Sequence, residues 1–132
     1  MADLDHTQPW LDALKWDVDG MIPAIAQDEG GRIVMFAWMS RDSLLETLSC
    51  GNAVYWSRSR KRLWRKGEES GFFQQIKSIR TDCDGDVLLL TIDQVAGIAC
   101  HTGRESCFFN ELQGDRWVPV DPVLKDSKEI YK

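Results

Sequence analysis

The fold of this chain is decided by a stretch that reads Met21-Ile22-Pro23-Ala24-Ile25-Ala26-Gln27, Asp28-Glu29-Gly30-Gly31 and Ile33-Val34-Met35-Phe36-Ala37-Trp38-Met39. The first and last parts are short and apolar, and the middle part has the composition of a turn, which predicts an antiparallel β-hairpin. Ser40 follows as a good N-cap and Gly51 stands at the C′ position, so the residues between them are predicted to be helical. One face of this helix is expected to carry Leu44, Leu45 and Leu48.

The rest of the chain is predicted to be mostly β structure. Strands are expected over residues 53–58, 72–80, 97–100 and 107–112, with a basic strand or loop over 60–66. Residues 87–92 are apolar enough for a strand buried on both faces. Residues 117–120 are at most an edge strand because Pro119 lacks a ladder donor, and the polar tail 122–132 is expected to be peripheral. The predicted fold class is α+β, mostly β, with small twisted antiparallel sheets and one or two helices.

Size and composition exclude several classes of protein. The 132 residues predict a single domain, residues 1–132, and the net charge of −5 argues against a nucleic-acid-binding protein. Residues 1–17 have no apolar signal-peptide core, and the longest apolar run, residues 33–39, is too short to span a membrane. We therefore expect a cytoplasmic protein whose cysteines are metal ligands or reduced thiols rather than disulfides.

Three of the four cysteines lie in polar, turn-like sequence, which favours metal ligands over small buried hydrophobes. These are Cys83, Cys100 and Cys107, whereas Cys50 stands apart in the helical stretch. Their spacing differs from the paired C-x-x-C of a structural zinc finger. Three protein ligands would leave the fourth tetrahedral position for water, which is typical of catalytic zinc.

His101 directly follows one of these cysteines and has two possible roles. It would be either a fourth ligand or a general acid–base beside the metal, and its near-neutral reference pKa suits proton transfer. A sequence neighbour of a ligand usually points elsewhere, so we favour the acid–base role. The other histidine, His6, lies in the N-terminal segment.

The segment around Cys83 alternates three carboxylates, Asp82, Asp84 and Asp86. Clustered carboxylates suit magnesium, calcium or manganese, so a second, hard-cation site is predicted next to the thiol. An EF-hand is not expected, because Gly85 stands in the fourth position of the loop rather than the sixth. The alternative is a solvated acidic turn.

Basic residues are concentrated after the predicted strand 53–58. Six of the 16 lysines and arginines fall within nine positions: Arg58, Arg60, Lys61, Arg62, Arg65 and Lys66. Arginine forks and serine hydroxyls are suitable donors to phosphate, and Trp56 or Trp64 could stack on a base. The alternatives are a solvated strand face for the charges and core positions for the tryptophans.

Six ordered blocks of the sequence resemble the phosphoribosyl-AMP cyclohydrolase family of histidine biosynthesis. The blocks are Ile22-Pro23-Ala24-Ile25-Ala26-Gln27-Asp28, Ala37-Trp38-Met39, Tyr55-Trp56-Ser57-Arg58-Ser59-Arg60, Leu63-Trp64-Arg65-Lys66-Gly67-Glu68, Asp82-Cys83-Asp84-Gly85-Asp86 and Ala99-Cys100-His101-Thr102-Gly103 with Ser106-Cys107-Phe108-Phe109. They cover about residues 17–110. The chain resembles the monofunctional form, which lacks a pyrophosphohydrolase domain.

The resemblance implies a homodimer with a zinc site shared between subunits: Cys100 and Cys107 from one subunit and Cys83 from the other. It also implies that Asp82, Asp84 and Asp86 bind magnesium. The small-molecule substrate would be phosphoribosyl-AMP, and its contacts are expected from Trp56, Ser57, Arg58, Ser59, Arg60, Lys66 and Glu68.

The implied reaction, the third step of the pathway, opens the adenine ring of that nucleotide between N1 and C6. Zinc lowers the pKa of its water from about 15.7 toward roughly 7, and the resulting hydroxide would attack C6 while His101 shuttles protons. The family usually has a histidine where this chain has Phe72, in Ser70-Gly71-Phe72-Phe73-Gln74. We do not expect this difference to abolish activity, because the thiols and His101 are intact.

Two alternatives retain the zinc. A zinc nucleotide deaminase is disfavoured because neither histidine begins an H-x-E motif and P-C-x-x-C is missing. A non-enzymatic, zinc-stabilised binding module would use the basic segment as its contact surface, and chelation would unfold it rather than first remove an activity.

Overall fold

The computed structural model describes residues 8–125 of the chain, which form a curled six-stranded sheet, a two-stranded sheet and two α-helices. The elements are α1 (Pro9–Asp12), β1 (Met21–Gln27), β2 (Ile33–Ser40), α2 (Arg41–Cys50), β3 (Val54–Ser57), β4 (Arg62–Arg65), β5 (Gln74–Thr81), β6 (Leu88–Gln94), a 3₁₀ turn (Val95–Gly97), β7 (Asn110–Gln113) and β8 (Arg116–Pro119). The predicted class, α+β and mostly β, is confirmed. None of the described helices is long and apolar enough to cross a membrane.

The predicted hairpin and helix are both present. β1 and β2 pair antiparallel from Met21 opposite Ser40 to Gln27 opposite Ile33. The helix α2 begins after Ser40, whose hydroxyl accepts from the Ser43 amide at 3.1 Å while the Ser43 hydroxyl accepts from the Ser40 amide at 2.8 Å. It ends at Gly51, which has a left-handed φ of 79° and donates its amide to the Thr47 carbonyl. Local capping therefore defines this helix, as the sequence predicts.

The buried face of α2 differs in one position from the prediction. Leu44 and Leu45 are buried, but Leu48 is 43 % exposed and Thr47 is fully buried instead. The Thr47 hydroxyl accepts from the Val54 amide at 2.9 Å, which attaches the helix to the start of β3. This hydrogen bond explains why a polar residue occupies the interior side of the helix.

The large sheet has the strand order β4-β3-β2-β1-β6-β5, in which β1 and β6 are parallel and the other neighbours are antiparallel. A parallel pair needs a long crossover, and here the chain from β2 through β5 supplies it. The sheet also curls back on itself. The Ala53 amide donates to the Gln74 carbonyl and the Ile76 amide to the Gly51 carbonyl, so β5 reaches the segment that precedes β3.

The strand β6 is buried on one face in the single chain, not on both as predicted. Leu88, Leu90 and Ile92 point into the core, whereas Leu89 and Thr91 are only partly covered. Alternation of this kind is expected when one face of a sheet packs on the core of the same chain.

Two predictions for the C-terminal third are corrected. Residues 97–100 are not a strand, because a 3₁₀ turn ends at Gly97 and the amides of Ala99 and Cys100 both donate to the Arg104 carbonyl, forming a loop. The strand predicted at 107–112 begins only at Asn110, where it pairs with β8 in a separate sheet. Residues 122–125 are exposed, as the prediction of a peripheral tail requires, although their backbone contacts this loop. Residues 126–132 lie outside the described residues.

Candidate functional site

Two of the predicted thiols come together beside the end of β6. The Cys107 amide donates to the Val34 carbonyl at 2.6 Å, and the neighbouring Ser106 hydroxyl donates to the Ile33 carbonyl at 3.0 Å, so the start of β2 holds this part of the loop. Cys100 is buried, and its sulfur accepts a hydrogen bond from the Thr102 hydroxyl at 3.0 Å. Cys107 is exposed as a residue, but loss of water around its sulfur, and then the charge of Cys100 and a hydrogen bond with its thiol, raise the pKa of Cys107 to about 12.

The loop that carries the thiols is a tight turn held by the C-terminal segment. Gly103 donates its amide to the Cys100 carbonyl at 2.9 Å and adopts a φ of 87°, which favours glycine. Its carbonyl accepts from the Leu124 amide at 2.8 Å, and a Cβ on Gly103 would fall on the Lys125 carbonyl oxygen. The Arg104 guanidinium donates to the Asp121 carbonyl at 3.0 Å. We call residues 121–125 the C-terminal strap.

His101 occupies the corner of this turn and is exposed to solvent, whereas the adjacent Cys100 is buried. Phe72, which stands where the resemblance leads us to expect histidine, is buried against Ile98 near the start of the loop. The Lys125 ammonium lies 5.9 Å from the centre of the Phe72 ring. This position therefore contributes packing under the loop in this chain and no proton donor or acceptor.

Lys66 lies beside the thiols and is 6 % exposed. Burial lowers the pKa of its ammonium, against the opposing effect of the Cys107 and Cys100 charges, which raise it. The buried Tyr55 is a further neighbour: burial and the Cys107 charge raise the pKa of its hydroxyl, which donates to the Gln74 side-chain oxygen at 2.6 Å. The structure thus places Lys66 beside the thiol loop. The sequence had predicted that this lysine contacts the substrate as part of the basic segment.

Arg58 and Arg60 lie at the other end of β4 from Lys66. Arg58, Ser59 and Arg60 form the turn between β3 and β4, and this turn is separated from Lys66 by the length of β4, about 13 Å for a four-residue strand. The Arg58 guanidinium stacks on the Trp38 ring at 4.5 Å. The Arg60 amide donates to the Ser57 hydroxyl at 3.3 Å.

The other two predicted substrate contacts flank this ribbon of two strands. Trp56 is partly buried in β3, where it pairs with Trp38 of β2. Glu68 is exposed in the turn after β4, and its amide donates to the Arg65 carbonyl at 3.1 Å. Within residues 8–125, neither Trp56 nor Glu68 forms a hydrogen bond, a salt bridge or a ring contact with the two thiols.

The acidic turn between β5 and β6 gathers candidate metal ligands of its own. One ligand atom from each of Asp82, Cys83 and Asp84 lies within 4.8 Å of the others. The Asp86 amide donates to Asp82 Oδ1 at 3.1 Å, and such backbone hydrogen bonds lower the pKa of Asp82. The pKa of Asp86 is raised, chiefly by its side-chain hydrogen bond with Asp82. Exposed carboxylate oxygens in this arrangement fit a hard divalent cation.

Cys83 is not brought to the other two thiols within one chain. The acidic turn precedes β6 and the thiol loop follows it, and a seven-residue strand is about 20 Å long. Among the described residues, the only group of three or more close ligands is the one in the acidic turn. The three predicted zinc ligands therefore occupy two separate regions of the chain.

One partly open pocket lies between the two helices and β5. It measures about 300 Å³ and is bordered by α1, α2 and β5, with Trp10, Leu14, Leu44, Leu48 and Ile79 among its lining residues. Its lining is largely apolar and includes none of the predicted site residues. The candidate chemistry lies on loops rather than in this cavity.

Sequence reasoning did not single out Thr102 or Gly103. The Thr102 hydroxyl contacts the Cys100 sulfur, and the missing Gly103 side chain makes room for the strap. Both lie in the Cys100-His101-Thr102-Gly103 motif, so the motif itself was the available signal. The strap contact depends on residues about twenty positions away and has no local signal.

Comparison with known proteins identifies the chain as an enzyme, a hydrolase. It belongs to the phosphoribosyl-AMP cyclohydrolase family, because the family model described as "Phosphoribosyl-AMP cyclohydrolase" matches residues 35–109. The protein of that name from Dechloromonas aromatica is 83 % identical over 132 residues, which cover 100 % of both chains. Those from Nitrosomonas eutropha and Pseudomonas aeruginosa are 60 % and 57 % identical, over 95 % and 93 % of this chain and 98 % and 92 % of their own length. The resemblance predicted from the six sequence blocks is thus confirmed.

Proposed function

We propose that this enzyme hydrolyses the N1–C6 bond of the adenine ring of phosphoribosyl-AMP, as a zinc-dependent step of histidine biosynthesis in the cytoplasm. Full-length relatives bear the name of that activity. The observation that carries the zinc-dependent chemistry is the meeting of Cys100 and Cys107 on one loop, with His101 exposed at its corner. Soft thiolates are ligands that zinc prefers, and the donor set therefore fits the metal.

The reaction requires a nucleophile at C6 and a proton at N1. Zinc held by these thiols would supply a water with a pKa near 7 and polarise the bond that is attacked. The oxygen of water bonds to C6, the C6–N1 bond breaks, and its electron pair stays on N1. His101 is exposed beside the buried ligand Cys100, so it can take a proton from the water and deliver one to N1.

The third zinc ligand in this proposal is Cys83 of a second subunit. Within one subunit the strand β6 separates Cys83 from the thiol loop, so a shared site brings the three thiols together across a homodimer. Apolar side chains on the outer face of the sheet support such an interface. Ile25 is opposite Phe36 on one side and Leu89 on the other, and Phe36 is 46 % exposed in the single chain. Burial of this face against a second copy would be favourable.

Two turns would neutralise the phosphates of the substrate: the acidic turn by holding a magnesium ion, and the basic turn by direct contacts. Asp82, Asp84 and Asp86 have the donors for a magnesium ion, which binds phosphate oxygens together with one or two carboxylates. Arg58 and Arg60 supply guanidinium forks for direct contacts, with the hydroxyls of Ser57 and Ser59 nearby. Trp56, Lys66 and Glu68 complete the set of proposed substrate contacts.

Incubation of the purified protein with phosphoribosyl-AMP tests this activity. We expect ring opening, detected by absorbance and mass of the product, without release of ammonia. Loss of activity on chelation, before any loss of folded structure, is the expected sign of catalytic zinc. Release of ammonia would show a deaminase instead, and unfolding that coincides with zinc removal, without any turnover by the loaded protein, would show a structural zinc site.

A complementation experiment tests the shared site. Cys83→Ser and Cys107→Ser homodimers should each be inactive, because each lacks one ligand at every site. A heterodimer of the two should regain one complete site and about half of the parental activity per dimer, since a site would take Cys83 from one subunit and Cys107 from the other.

The matched control is a heterodimer of Cys100→Ser with Cys107→Ser. Both of these ligands come from the same side of the site, so neither site of this heterodimer would be complete. Recovery only in the first pair supports sharing across the interface. Equal recovery in both pairs, or none in verified heterodimers of the first pair, would refute it.

A further inference from the structure

We propose that Arg32 is a positioning residue whose guanidinium ties the thiol loop to the C-terminal strap and so keeps His101 in place for the ring-opening reaction. The inference rests on the proposed function and deepens it. Arg32 would act through Glu105 of the loop and Asp121 of the strap, without contact with the substrate. We call these two contacts together the Arg32 clasp.

The first support is the pair of ion pairs that one guanidinium makes to two different segments. Arg32 Nη1 lies 3.3 Å from Glu105 Oε2, and Arg32 Nη2 donates to Asp121 Oδ2 at 2.9 Å. Arg32 directly precedes β2, Glu105 lies in the thiol loop, and Asp121 begins the strap. The planar fork of arginine suits such a double contact, because separate nitrogens reach the two carboxylates. The clasp therefore joins three segments that are distant in sequence.

The second support is the firm attachment of the Arg32 backbone. The Asp28 amide donates to the Arg32 carbonyl at 2.9 Å, and the Arg32 amide donates to Asp28 Oδ1 at 3.0 Å. These hydrogen bonds close the turn of the hairpin and do not involve the guanidinium. The side chain therefore extends from a fixed base, and its replacement should leave the hairpin intact.

The third support is that both partners of Arg32 are also held through their main chain. Gln94 Nε2 at the end of β6 donates to the Glu105 carbonyl at 3.2 Å, and Arg104 Nε donates to the Asp121 carbonyl at 3.0 Å. An ion pair between segments that are already ordered loses less conformational entropy than an isolated surface pair, which makes it more effective. The clasp thus acts on carboxylates whose positions are restricted.

The expected consequence is control over how often the loop opens. One exposed ion pair typically shifts an equilibrium by about 1.4- to 5-fold, so loss of both should raise the population of the open loop by about 2- to 25-fold. His101 lies at the corner of this loop. A proton-transfer group that is out of place slows the chemical step, so we expect a lower kcat with an unchanged KM.

Hydrogen exchange of the purified full-length protein measures this opening without the substrate. The amides of Gly103 and Leu124 report on the loop and on its contact with the strap, and the Gly51 amide at the end of α2 is the internal reference. In Arg32→Met, exchange at Gly103 and Leu124 should be about 2- to 25-fold faster and unchanged at Gly51. Arg32→Lys should recover only part of the protection, because an ammonium group is a single point charge.

Arg41→Met is the matched control. Arg41 Nη1 lies 3.0 Å from Asp12 Oδ1 in another exposed ion pair, which joins the start of α2 to the end of α1. Its loss should leave both the exchange of the loop amides and kcat at their parental values, because neither helix carries the loop or the strap.

Asp121→Ala tests the contact from the other side. It removes the carboxylate that binds Arg32 but keeps the main-chain carbonyl that accepts from Arg104. The effects of Asp121→Ala and Arg32→Met on exchange should not add in the double variant, because both remove the same ion pair. Thermal melts check folding, and Asp121→Ala keeps the inference testable if Arg32→Met unfolds.

Steady-state kinetics with phosphoribosyl-AMP, expressed per folded protein, test the effect on the reaction. We expect the kcat of Arg32→Met to fall by about 2- to 10-fold and its KM to stay at the parental value, with partial recovery of kcat in Arg32→Lys. A residue that only stabilised the fold would change the fraction of folded protein and leave this normalised kcat unchanged.

Parental exchange at Gly103 and Leu124 in a folded Arg32→Met protein overturns the inference. Faster exchange with parental kcat, or fully additive effects of Arg32→Met and Asp121→Ala, also overturns it. A parent protein that does not open the adenine ring would refute the proposed function instead, and hydrogen exchange would still decide whether Arg32 holds the loop.

Discussion

Substitution of Gly103 by alanine tests whether the C-terminal strap holds the thiol loop. Two costs add at this position. Gly103 has a φ of 87°, and a left-handed conformation costs an alanine about 1–2 kcal/mol relative to glycine. The new Cβ would also fall on the Lys125 carbonyl oxygen, so the strap must move.

Movement of the strap would break hydrogen bonds that the loop now makes. The Leu124 amide donates to the Gly103 carbonyl at 2.8 Å, and the Lys125 amide shares this acceptor at 3.3 Å. A net contribution of about 0.5–1.5 kcal/mol for each gives a total loss of about 2–5 kcal/mol with the backbone strain. For a chain of this size we expect the Tm to fall by about 6–25 °C.

Gly114→Ala is the matched control, because it separates strain from collision. Gly114 lies in the turn between β7 and β8 with a φ of 69°, and a Cβ there would meet nothing within 4 Å. Its substitution should cost only the strain, about 1–2 kcal/mol. The assay is thermal and urea unfolding of both variants, together with zinc affinity, which should fall only in Gly103→Ala because only this loop carries Cys100 and Cys107.

A shortened chain gives the decisive comparison. In a protein that ends at Asp121, the Lys125 carbonyl is gone, so Gly103→Ala should cost no more than Gly114→Ala. Such non-additivity is the measure of direct interaction between two positions. Equal losses for both glycines in the full chain, with parental zinc affinity in each, would refute the role assigned to the strap.

Three further predictions concern the chemistry and its support. His101→Ala should lower kcat by about 10²–10⁴-fold and retain zinc, as expected for a residue that transfers protons. Steady-state kinetics and metal analysis test this, and loss of zinc would show that His101 is a ligand instead. Arg58→Ala should raise KM, with partial rescue by Arg58→Lys, whereas parental kinetics in both at moderate ionic strength would leave the guanidinium only its stacking on Trp38. Tyr55→Phe removes a buried hydrogen bond of 2.6 Å to Gln74 and should cost about 1–3 kcal/mol in urea unfolding without changing bound zinc; a neutral effect would show that Gln74 finds another partner.

The local signals in the sequence were sufficient for the elements that form locally. The hairpin of β1 and β2 follows from two apolar segments around a turn, and α2 follows from Ser40 and Gly51 at its ends. These features depend on hydrogen bonds between residues a few positions apart, so a short window contains the cause. The motif around Cys100 and Cys107 likewise indicated two neighbouring thiols, which the structure places together.

The pairing of strands that are distant in sequence could not be predicted from such short windows. The parallel contact of β1 with β6 and the contact of β5 with the segment before β3 join residues that are distant in sequence, and no local pattern distinguishes them from other pairings. Residues 97–100 form a loop instead of the predicted strand, because the amides of Ala99 and Cys100 donate to the Arg104 carbonyl of the same loop. The apolar pattern of residues 97–100 carries no information about that choice.

The residue types in the sequence determined which chemistry is available, whereas the tertiary structure decided where each group lies. Thiols, imidazole, carboxylates and guanidinium groups were all recognisable as ligands, proton carriers or anion contacts from their identity. The sequence did not show which of these groups lie together, since Lys66 and Arg58 are close in sequence yet lie at opposite ends of β4. The two ends of a strand are separated by about 3.3 Å per residue. The curling of the sheet places Lys66 beside Cys100 and Cys107.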